Sequence, residues 1–150
     1  MTDKYTYRPF TRDELWDFNL VYERILVQKQ AAYLLSLGSD PTKETYCVVS
    51  CWGGEPFSIG GWQQADGDAT RIFAIPCQKI FSIPLTFVRI GLKWVQYLEA
   101  QPWCKRLEAT TMPVEKLDPW MRALGFTFEK IMPNYLDGQD YKLWVKEGSL

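Results

Sequence analysis

The chain has 150 residues, 47% of them hydrophobic and 15% aromatic. That is enough apolar surface for one folded domain spanning 1–150, and too much for a disordered chain. Net charge is −1, with 17 Lys and Arg against 18 Asp and Glu; no basic block occurs, which excludes the electrostatic footprint of a nucleic-acid binder.

Tyr5–Phe10 alternates and predicts a first strand, closed near Pro9. Thr11, with Glu14 three residues on, is a capping-box signature. It opens an expected helix from Arg12 with apolar residues at Leu15, Trp16, Phe18, Leu20, Val21, Ile25 and Leu26. A second helix, QKQAAYLLSLG, is expected to end at Gly38, followed by the polar loop SDPTKE. Thr45–Trp52 is almost continuously apolar, the pattern of a strand covered on both faces. GGEP makes a turn, and Phe57–Gln64 returns as a strand in which Gly60–Gly61 marks a bulge or a close backbone approach. After the turn ADGDA, Thr70–Pro76 is the third strand of this meander.

A helix follows from Pro84 to about Ala100, with Phe87, Gly91, Trp94, Val95 and Leu98 on one stripe. Lys105–Met112 is a strand. VEKLDPWMRALGF is a short helix interrupted at Asp118–Pro119 and ending at Gly125. TFEKIMP and YKLWVKE alternate as two final strands joined through NYLDGQD. The order is β-α-α-β-β-β-α-β-α-β-β. It implies an α/β (α+β) chain with a mixed central sheet of about seven strands and helices on both faces.

No apolar run approaches the ~18 residues of a membrane span. The opening MTDKYTYRPF does not read as a signal peptide, so the expected setting is a reducing cytosol or a particle assembled there. There is no histidine, which eliminates Ser-His and Cys-His nucleophile arrangements. Cys47, Cys51, Cys77 and Cys104 contain no C-x-x-C pair, so they are read as buried free thiols, and no metal site is expected. DGD at Asp66–Asp68 resembles part of a calcium loop but lacks the later ligands, and reads as a turn. Asp137 and Asp140 flank a glycine turn and read as solvated. Trp94 and Trp103 read as packing residues rather than a ligand platform.

This order of elements, with the hairpin EPFSIGGW, the strand-to-helix step at Pro76–Leu85 and the ending WMRALGFTFEK, resembles the GNAT acyltransferase family from about Tyr5 to Lys146. The resemblance implies an acetyl-CoA cleft between two splayed parallel strands, here Thr70–Ile75 and Lys105–Met112. It also implies a pyrophosphate cradle of pattern Q/R-x-x-G-x-G/A at the start of the following helix. Such a cradle works through aligned amides and a positive helix end. The matching residues are Gln78-Lys79-Ile80-Phe81-Ser82-Ile83. Gln78 fits, and Lys79 and Ser82 are the other cofactor-binding candidates. Phe81 and Ile83 stand where glycine belongs, and Pro84 removes an amide. The plain reading of the loop is that Phe81 and Ile83 are core residues tucking a short connection onto the sheet.

The family's frequent tyrosine acid, four residues before the Gly-Phe, is replaced by Met121. Tyr135 and Tyr141 are the nearby substitutes, with Tyr135 the catalytic candidate. Glu108 is the candidate general base and Glu55 the next. For both the bland alternative is a solvated residue, in Glu108's case paired with Arg106.

PFSIGGW, the glycine-poor loop and LGFTFEK also resemble the small GNAT-like proteins of short-tailed bacteriophages. That resemblance implies a non-catalytic protein of the virion or of the infected bacterium's cytoplasm, bound to virion or host proteins, with no cofactor. The rival is an active N-acyltransferase. There an amine attacks the thioester of acetyl-CoA, a carboxylate takes its proton and loop amides stabilise the oxyanion.

Overall fold

The computed structural model describes residues 4–20, 24–65, 68–113, 115–136 and 138–146. Strands β1 (Tyr5–Pro9), β2 (Tyr46–Trp52), β3 (Glu55–Gln64), β4 (Ala69–Pro76), β5 (Arg106–Thr111), β6 (Phe126–Leu136) and β7 (Gln139–Lys146) form one sheet of order β1-β2-β3-β4-β5-β7-β6. The helices are α1 (Arg24–Ser36), α2 (Pro84–Glu99) and α3 (Asp118–Ala123). β4 and β5 pair parallel, while β1–β2, β2–β3, β5–β7 and β6–β7 pair antiparallel. A parallel pair needs a crossover, and α2 supplies it. Among the described residues no helix is long and apolar enough to cross a membrane. The chain divides into two compact units, Met1–Gln63 with Ala74–Ile83, and Gln64–Phe73 with Pro84–Leu150.

In the first unit β2 is buried along six of its seven residues, as its apolar run predicts. Gly53 and Gly54 (φ +60° and +83°) turn the chain into β3. Of the two readings for Gly60–Gly61, the close approach holds at Gly61. A Cβ there would overlap the Tyr46 backbone carbonyl, and the register shift of this pair lies at Ser50/Cys51 instead. Trp62 stacks on Tyr46 at 4.4 Å and donates its indole N–H to the Lys43 carbonyl at 3.0 Å.

The single helix expected from Arg12 is not formed. Arg12–Asp17 is a 3-10 turn, Phe18 is extended and buried, and Leu20 makes an antiparallel bridge to Cys77. That backbone pairing pulls the chain off the helical path, so a period that looks continuous covers two segments. Thr11 makes no side-chain cap; the Glu14 carboxylate pairs instead with Arg8 at 3.2 Å. Val21, and the side chains of Leu15, Trp16, Ile25 and Leu26, lie outside the described residues. Gly38 (φ +77°) does follow the end of α1, and its carbonyl accepts from the Cys47 amide at 2.8 Å.

In the second unit Leu98, Leu107 and Trp144 are almost wholly buried. The Trp144 indole donates to the Thr111 hydroxyl at 3.0 Å. Of the expected α2 stripe, Val95 and Leu98 are buried while Phe87, Gly91 and Trp94 are half-buried. Gly91 lets α2 approach α3: a Cβ there would lie 2.8 Å from the Leu124 Cδ2 atom. The interruption at Asp118–Pro119 is a join, where a 3-10 turn at Glu115–Leu117 runs into α3 with Pro119 in its first turn. Gly125 (φ +95°) ends it. Asp66, Gly67 and Asp137 fall outside the described residues; Asp68 has φ +65°.

Candidate functional site

The cradle candidate lies in the first unit. Cys77 leaves β4 with its amide on the Phe57 carbonyl, and Gln78–Ser82 then forms a 3-10 turn. That turn spends amides on backbone carbonyls. Ile80 N–H donates to Cys77 at 3.0 Å, Ile83 N–H to Ile80 at 3.3 Å, and Gln78 N–H to Asn19 at 2.6 Å. The residue tucked into the core is Ile80, 1% exposed, while Phe81 and Ile83 are half-buried. This corrects the expectation that Phe81 and Ile83 are the tucked residues: in a 3-10 turn only one side of the segment faces inward.

Each cofactor-binding candidate has a protein partner. The Gln78 amide nitrogen reaches the Leu20 carbonyl at 3.4 Å, Lys79 lies 3.7 Å from the Glu55 carboxylate, and the Ser82 hydroxyl donates to the Lys79 carbonyl at 2.8 Å. The charge of Lys79 is thereby matched by Glu55, the second base candidate.

The two catalytic candidates lie in the second unit, brought together by a residue that sequence reasoning did not single out. Arg71 on β4 is the register partner of Glu108 on β5. Arg71 Nε and Nη2 donate to Glu108 Oε1 at 3.1 and 2.9 Å, and Arg71 Nη1 donates to the Tyr135 hydroxyl at 3.0 Å. Arg106 Nε donates to Glu108 Oε2 at 3.0 Å, and Arg106 Nη2 to Glu129 Oε1 at 3.3 Å. Arg106 was the expected partner of Glu108. The solvated reading fails: Glu108 is 7% exposed.

A carboxylate offers roughly four acceptor positions, and three N–H groups already point at this one. Burial works against the charged form of Arg71, but its hydrogen bonds to Tyr135 and Glu108 outweigh that and hold the guanidinium above its ordinary range. Tyr135 packs on Tyr141 at 5.3 Å between ring centres, with the Arg71 guanidinium 5.7 Å from its own. Asn134, before it, takes φ +51° and donates its amide to Asp140 at 3.1 Å. The signal for Arg71 was its place inside the strand TRIFAIP, an arginine among apolar residues that must find an anion within the sheet.

Cys47, Cys51 and Cys77 are buried free thiols and Cys104 is half-buried. Burial pushes Cys47 and Cys77 up to about 12 and also raises Cys104. Among the described residues no group of three or more His, Cys, Asp or Glu could hold a metal ion. Met121 is buried. Trp94 and Trp103 are half-buried, Trp94 edge-on to Tyr97 at 5.8 Å.

No protein-family model and no curated protein matches the chain. Solved structures do. RimL, the ribosomal L7/L12 α-N-protein acetyltransferase in complex with coenzyme A, is 12% identical with a TM-score of 0.62, over 97% of this chain and 94% of its own. An acetyltransferase from Bacillus subtilis in complex with CoA is 14% identical with a TM-score of 0.60, over 97% and 98%. The microcin C7 self-immunity acetyltransferase MccE, in complex with acetyl-CoA and AMP, is 10% identical with a TM-score of 0.65, over 97% and 93%. At these identities the likeness is one of architecture, and it extends over almost the whole chain: the protein has the GNAT acetyltransferase fold.

Proposed function

We propose that this chain is a GNAT-fold protein with a degenerate diphosphate cradle, acting by binding other proteins rather than by acyl transfer. The single observation that carries the reading is the state of the Gln78–Ser82 turn. The amides of Gln78, Ile80 and Ile83 are donors to backbone carbonyls, and Pro84 has no amide to give. A diphosphate needs those groups, so the residues present do not fit it. The carboxylate best placed to act as a base supports the same reading, since Glu108 already accepts from two arginines. With the resemblance to small phage proteins, the proposed setting is a virion or the cytoplasm of an infected bacterium, with virion or host proteins as partners.

A second reading, an acetyl-CoA-dependent N-acyltransferase acting on an amine, draws support from one observation: Arg71 gathers Glu108 and Tyr135 onto one guanidinium. Calorimetry with acetyl-CoA separates the two. The first reading expects no heat of binding at millimolar cofactor, and a micromolar Kd ends it. Mass spectrometry of purified particles tests the virion assignment.

A further inference from the structure

The two arginines on Glu108 reach the same distant strand, and we infer that this carboxylate is the keystone of a clasp fastening β6 across the sheet. β6 is the last strand of the sheet order, with one neighbour, β7. Arg106 starts on β5 and ends on Glu129 of β6; Arg71 starts on β4 and ends on Tyr135 of β6. Both arms pass β7, which lies between β5 and β6. At roughly 4.8 Å per strand the spans are about 10 and about 14 Å, within reach of an arginine and its partner side chain together.

β6 is built to be gripped at these two points. Its register against β7 shifts twice, between Phe128 and Lys130 and between Met132 and Leu136. Glu129 is the extra residue of the first shift, and Tyr135 lies within the second, next to Asn134 with its positive φ. Bulges re-aim side chains, and both gripped side chains come from bulged positions. One oxygen of Glu108 orients each arm: Oε1 holds Arg71 and Oε2 holds Arg106. The charges of Arg71, Arg106, Glu108 and Glu129 balance, so the network carries no net charge onto the sheet. Glu108 is thus a positioning residue for both arms, and losing it releases the tip of β6 at two points together.

Hydrogen exchange on the full chain tests this. Glu108→Gln should speed exchange of the β6 amides from Glu129 to Leu136 by about ten- to hundredfold, with β2 and β3 unchanged. Should Glu108→Gln fail to fold, Tyr135→Phe and Glu129→Ala decide, since each removes one arm only. Tyr135→Phe should speed exchange in β6 by about tenfold, and loss of the more exposed Glu129 arm by about two- to fivefold. Their combination should fall short of the product, because the two arms share one carboxylate. Unchanged β6 exchange in both single variants overturns the clasp, as does equal acceleration throughout the chain.

Discussion

Acetyl-CoA and acetyl-pantetheine share a thioester and a pantetheine arm, and differ by the nucleotide diphosphate. A protein with a working cradle separates them strongly. A charge-assisted hydrogen bond to a phosphate contributes about 1.5–3 kcal/mol. Here the amides of Gln78, Ile80 and Ile83 are spent on the carbonyls of Asn19, Cys77 and Ile80, and Pro84 has none. Counting only two lost donors gives roughly 3–6 kcal/mol, or about 10²–10⁴ in affinity. The expected outcome is therefore that the two thioesters bind equally poorly, within about threefold of one another. A thermal-shift titration with both compounds, carried above millimolar concentration, reads the ratio. A hundredfold preference for acetyl-CoA would overturn this expectation, because it would mean that the turn opens and surrenders its amides.

Two glycines that sit in tight places should respond differently to alanine. Gly61→Ala drives a Cβ into the Tyr46 backbone carbonyl, which cannot move without breaking β2–β3 pairing, and should cost about 3 kcal/mol or more in urea denaturation. Gly91→Ala meets only the end of the Leu124 side chain and gains helix propensity, so it should stay within about 1 kcal/mol of the parent. The buried thiols predict a loss of stability in alkali. Cys47 and Cys77 are raised from an ordinary 9.0 to about 12, so the neutral thiol is the folded form; stability is whole below pH 9.0 and falls as pH rises toward 12. Replacing both by alanine should flatten the fall by roughly 2–3 kcal/mol per pH unit in urea titrations at about pH 9.5 and about pH 11. Equal slopes would show that burial is not what holds these thiols neutral. Under native conditions a thiol reagent should modify Cys104 first, since it is only half-buried, with Cys47 and Cys77 following on the time scale of unfolding.

What the sequence made legible, and what it did not, follows from the range of the forces concerned. Strand positions rest on short-range alternation and on glycine punctuation, and β2 to β5 lie within a residue or two of their expected bounds. The stretch after Thr11 misled because its periodicity is local while the force that shaped it is not: Leu20 pairs with Cys77, far along the chain, and a helix cannot offer that backbone. The departure of Gln78–Ile83 from the family's glycine pattern was legible in composition, since two bulky residues and a following proline stand there. Which residue turned inward was not, because that depends on the 3-10 geometry that buries Ile80.

Glu108 shows the limit most clearly. Residue type and strand placement made it a base candidate, and its near neighbour Arg106 made it an ion-pair candidate. Neither could show Arg71, whose approach depends on the parallel register of β4 with β5. That register changes the chemistry available. A carboxylate with a free lone pair can take a proton from an incoming amine. One that holds Arg71 on Oε1 and Arg106 on Oε2 has three of its roughly four acceptor positions filled, and taking a proton would weaken both charge-assisted pairs in a site 7% exposed. The surroundings of this carboxylate are thus set not by its own identity but by an arginine contributed by the neighbouring strand.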